Sequence, residues 1–156
     1  VRRIVFTAIV AYTGRTTLDN RMLRAPEGPV VHRPYPLPVF GWTGARTPEN
    51  PGQPVHVGSI ESTAVCDNRL ITFGRMFTSP EARPFVERLA SGTSWLEIDV
   101  DRVTTDPPLD ARSGAVDVLA TEIALMEFAA WRLTSAYIGE SPAWDLPPVQ
   151  IEEFTV

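Results

Sequence analysis

Residues 89–101 read Leu-Ala-Ser-Gly-Thr-Ser-Trp-Leu-Glu-Ile-Asp-Val-Asp. Two periodicities meet in this stretch. Phe85 and Leu89 fall one helical turn apart, the spacing of a short amphipathic helix, and Gly92 is the residue a helix C-terminus favours. After Ser94 the period drops to two. Leu96, Ile98 and Val100 take one side and Glu97, Asp99 and Asp101 the other, which predicts a half-buried strand over 95–103. A helix therefore feeds a sheet with one polar face.

Outward from here the chain reads mostly as strands. Ile4 to Tyr12 is rich in β-branched and aromatic residues and is followed by the turn-like Thr13-Gly14-Arg15-Thr16. Residues 35–40 are held extended by alternating prolines, and 41–54 is a Gly/Pro/Asn loop. Residues 55–62 and 69–76 are strand-like and bracket Cys66-Asp67-Asn68, a hairpin turn. Ser79-Pro80-Glu81 has the composition of a helix start. Residues 115–133 fit either a helix or a helix followed by a strand, 135–138 fit a strand, and a Pro-rich tail from about 145 is expected to be irregular. The fifteen prolines imply many short elements with rigid connections.

Composition narrows the function. At 156 residues, 44% hydrophobic and 21% charged, the chain suits a single domain over 1–156. Its net charge of -5 and its scattered arginines form no basic stripe, so direct nucleic-acid binding is not expected. The single Cys66 has no intramolecular partner, and neither zinc-ligand spacing, a calcium loop nor a phosphate loop is present. No metal and no cofactor are expected. Apolar runs fall short of the roughly 20 residues that cross a bilayer, and Val1 to Val10 lacks a secretory pattern. A chain without membrane contact, made in a cytoplasm, is expected.

Four ordered stretches carry a resemblance: TGRTTLDNRML (13–23) with RPYPLPVFGW (33–42), HVGSIES (56–62) with its hairpin, LASGTSWLEIDVD (89–101), and MEFAAWRLTSAYIGESPAW (126–144). Together the chain resembles the prohead (capsid maturation) proteases of tailed phages, in particular those of actinobacteriophages, whose fold is shared with herpesvirus assemblins. The resemblance implies an α+β fold, mainly an antiparallel β-barrel with a few flanking helices. It also implies a place in the virion, assembled in the bacterial host cytoplasm, with the phage major capsid protein as partner and homo-oligomerisation left open.

Family members are serine proteases that need a Ser hydroxyl, a neighbouring His base and an orienting polar group. Laid on this chain, the family pattern puts Pro51 at the His position, Glu97 at the Ser position and Ser135 at the third. These three positions read as a degenerate catalytic set. The expectation is thus a minor capsid or decoration protein that binds the major capsid lattice and stabilises the shell, with no catalytic residues. Trp42, in the Gly/Pro loop, is its candidate contact residue. The alternative is an active capsid maturation serine protease that removes scaffold segments, using His56 and Ser94 with Glu97 or Glu140 assisting. That alternative needs a bulge over Thr93 to Trp95 to turn Ser94 onto the face of Glu97.

Overall fold

A computed structural model of the chain describes residues 1–43, 52–106 and 126–155. Eight strands make one mixed sheet: β1 (Arg2–Tyr12), β2 (Arg21–Leu23), β3 (Leu37–Thr43), β4 (Gln53–Cys66), β5 (Arg69–Met76), β6 (Trp95–Asp106), β7 (Met126–Gly139) and β8 (Gln150–Thr155). Along the sheet the order is β2-β7-β3-β4-β5-β1-β8, with β6 on the other side of β7. One helix, α1 (Arg83–Ala90), is present among the described residues.

Strand alternation builds the core directly. On β1, Ile4, Phe6, Ala8 and Val10 are buried, and on β5, Leu70, Thr72, Gly74 and Met76. The β1–β5 register slips between Ile9 and Ala11, so Val10 is the extra residue of a bulge and both Val10 and Ala11 turn inward. Gly74 must lack a side chain, because a Cβ there would stand 2.0 Å from the Ser59 carbonyl oxygen and 2.7 Å from Phe6 Cζ. β4 and β5 meet at Asp67-Asn68, whose φ values of 52° and 61° are those of a two-residue type I′ turn, as the Asp-Asn composition predicts.

Helix α1 starts later than its sequence signal. Ser79-Pro80-Glu81 forms a preceding turn in which Ala82 N–H donates to Ser79 C=O at 3.1 Å, and Ala82 caps the helix without a side-chain bond. Burial decides the entry point, since Ala82 is 0% exposed. Phe85 and Leu89 face the core, and Phe85 lies against Gly41 of β3, where a Cβ would come within 2.4 Å of its ring. Gly92, at φ 76°, ends the helix as expected, its N–H donating to Leu89 C=O.

Three expectations meet the structure here, and two of them are corrected. The architecture is not an α+β antiparallel barrel with flanking helices: 60% of the described residues are strand, the one helix among them is short, and the sheet is open and mixed. β7 runs parallel to both β2 and β3, and among the described residues β8 pairs with β1 alone. Closure would require long-range hydrogen bonds between the ends of this order, which local periodicity does not encode. Secondly, the alternative left open over 115–133 falls, over its described residues 126–133, to the strand of the second reading, although these residues are rich in helix formers. Their pairing with β6 on one side and with β2 and residues 31–33 on the other overrides propensity; residues 115–125 lie outside the described residues. Thirdly, the tail from about 145 is irregular only as far as Val149, and Gln150–Thr155 then adds β8 to the edge of the sheet.

Candidate functional site

The acidic face of β6 is answered residue by residue on β7. Glu97 stands opposite Tyr137, Asp99 opposite Ser135 and Asp101 opposite Arg132. Tyr137 hydrogen-bonds the Glu97 carboxylate, Ser135 Oγ donates to Asp99 Oδ2 at 3.3 Å, and Arg132 grips Asp101 through two bonds, one of 2.7 Å. A slip between Asp99 and Val100 inserts Thr134 and keeps Arg132 aligned with the acidic row. The alternating carboxylates are thus cross-strand partners.

At one end of this ladder lies a cleft of about 540 Å³, walled by Trp42 of β3, Phe85 and Arg88 of α1, Ser94, Glu97 of β6, Tyr137 to Gly139 of β7, Glu140 and Ser141. Gly139 makes room for Glu97, since a Cβ there would fall on the Glu97 Oε2 position. Burial pushes the Glu97 carboxyl above its ordinary range, the Tyr137 hydrogen bond opposes this, and the charge of Asp99 adds to the rise. Among the described residues neither Glu97 nor Glu140 has an ion pair. Arg88 instead lies over the Phe85 ring at 4.7 Å, its Nε buried without an acceptor. Glu97 and Tyr137 also border a second, more apolar cavity of about 230 Å³, lined in part by Trp144 and Phe128.

Four residues singled out in the sequence therefore share one cleft: Trp42, Ser94, Glu97 and Glu140. Ser94 is 1% exposed and precedes a β6 ladder that runs without a slip from Trp95 to Asp99. His56 is elsewhere. It is exposed on β4, with its ring 5.7 Å from that of Phe40 and 4.8 Å from that of Phe77. No hydrogen bond joins it to Ser94, and it is not among the described residues lining the cleft. Ser135 serves Asp99, and Pro51 lies outside the described residues.

Sequence reading missed Arg88 and Tyr137. Tyr137 becomes visible only through the β6–β7 register, and Arg88 through the seat of α1 on β3. Trp131 is buried and donates its Nε1–H to Arg24 C=O, which fits the core role its surroundings suggest. Among the described residues no group of three or more His, Cys, Asp or Glu side chains is placed to hold a metal ion, and no helix is long and apolar enough to cross a membrane. Compared with protein families, with characterised proteins and with solved structures, the chain matches none.

Proposed function

We propose that this chain is a non-catalytic virion component that binds the phage major capsid lattice and stabilises the shell. The family likeness rests on the ordered sequence stretches alone. The observation that carries the loss of catalysis is Glu97. It occupies the position that the resemblance assigns to the nucleophile, and its carboxylate accepts a hydrogen bond from Tyr137. Serine-type acyl transfer needs a hydroxyl in hydrogen-bond reach of a base, and the two candidates, Ser94 and His56, sit in different surroundings. Trp42, half-buried at the cleft, remains the contact candidate, because aromatic side chains at the mouth of a concavity contribute disproportionately to binding.

Co-expression with the cognate major capsid protein tests the reading. The expected outcome is co-sedimentation of the chain with assembled shells, with the capsid protein at full length by mass spectrometry. Trp42→Ala should reduce the bound copies. Shortening of the capsid protein that Ser94→Ala abolishes would overturn the reading in favour of the maturation protease.

A further inference from the structure

The cleft combines uncompensated negative charge with aromatic surface, and that combination selects a cation. Glu97 is half-buried and Glu140 is exposed, and both line the same concavity without an ion pair among the described residues. Arg88, the one cation among the described lining residues, lies over the Phe85 ring and forms an ion pair with neither. Asp99, the next carboxylate along β6, adds to the negative potential felt at Glu97. Beside these charges stand the Trp42 and Tyr137 rings, which favour a guanidinium or ammonium group and the methylene stem that carries it.

We propose that the cleft between α1 and the β6–β7 ladder is a binding site for a basic side chain, Arg or Lys, presented by an extended segment of a partner protein. The cation docks between Glu97 and Glu140, and its stem lies on Trp42. Tyr137 holds the Glu97 carboxylate in place for it, and Gly139 leaves the carboxylate room. A charged acceptor pre-positioned in a partly desolvated site binds more strongly than one that must be ordered on binding. The inference does not rest on the capsid reading, because it concerns the chemistry of the cleft alone.

The test uses the intact chain and two probes of equal shape, N-acetyl-arginine methylamide and its neutral isostere N-acetyl-citrulline methylamide. The readout is the indole N–H resonance of Trp42 in two-dimensional NMR, assigned with Trp42→Phe. Blocked arginine is expected to shift that resonance saturably and blocked citrulline to leave it in place. Glu97→Gln and Glu140→Gln should each weaken binding by about tenfold, in keeping with the loss of a charge-assisted hydrogen bond. Glu140 is exposed, so Glu140→Gln removes charge without touching the core and decides the matter if Glu97→Gln disturbs folding. Equal responses to both probes, no response to arginine, or undiminished binding by Glu140→Gln would overturn the proposal. Each of these results is independent of whether the chain sediments with capsids.

Discussion

Glu97 carries a consequence that a solvent-facing strand carboxylate would not. Its folded-state pKa is raised by burial first, then by Asp99, against the pull of Tyr137. Between the unfolded and folded values the native state keeps a proton that the unfolded chain has lost, so this residue lowers stability as pH rises through that window. Glu97→Gln should abolish that contribution, and thermal melts from acid to neutral pH should show the variant gaining on the parent as pH rises. Asp101 has the opposite sign. The Arg132 hydrogen bonds hold its carboxyl below the ordinary range, with Arg132's charge helping. It therefore supplies stability above the unfolded value, about 3.9 for Asp, and that stability is lost as pH falls through the lowered folded value. Arg132→Met should lower the melting temperature at neutral pH and converge with the parent in strong acid. The alternation of 96–101 is plain in the sequence, but the partners that make Glu97 and Asp101 differ are invisible until β7 is placed in register.

At the scale of elements, local chemistry announces whatever a few consecutive residues decide. The turn at Asp67-Asn68 is legible because both residues tolerate positive φ. Asn68 also accepts a hydrogen bond from Thr13 Oγ1 at 3.3 Å. Asn68→Ala should therefore cost about 1–2 kcal/mol, chiefly from the left-handed backbone, measurable by denaturant unfolding. The stop at Gly92 is legible for the same kind of reason. The start of α1 is not, because a buried Ala82 outweighs a good capping sequence at Ser79, and β7 is legible only over 135–138, because the helix-forming residues before them leave helix and strand both open until strands on either side claim them. What α1 contributes is the Phe85 wedge against Gly41. Phe85→Ala should destabilise by about 3–5 kcal/mol, as a buried aromatic truncated in a packed core does, and should also release Arg88 into the cleft.

Closure is a property of the whole molecule, and there the sequence is least informative. Strand count and polarity suit a barrel and an open sheet equally; which edges meet is settled by residues far apart in the chain. The site's geometry is legible only in part for the same reason: Trp42, Ser94, Glu97 and Glu140 line one cleft, while His56 packs near Phe40 and Phe77 instead. An open sheet leaves an edge to protect. β8 pairs with β1 on one side only among the described residues, and it carries the exposed aromatic Phe154, 44% accessible, beside Glu152 and Glu153. Glu153 pairs with Arg2, but exposed ion pairs of this kind contribute little to stability. The greater effect of the two carboxylates is repulsive, since a second acidic edge strand cannot approach without bringing like charges together. Replacing both, Glu152→Thr and Glu153→Thr, keeps strand propensity and removes the repulsion. The double variant should unfold within about 1 kcal/mol of the parent, yet associate at lower concentration in sedimentation velocity experiments. Unchanged self-association at high protein concentration would assign the protection of this edge to something other than its charge.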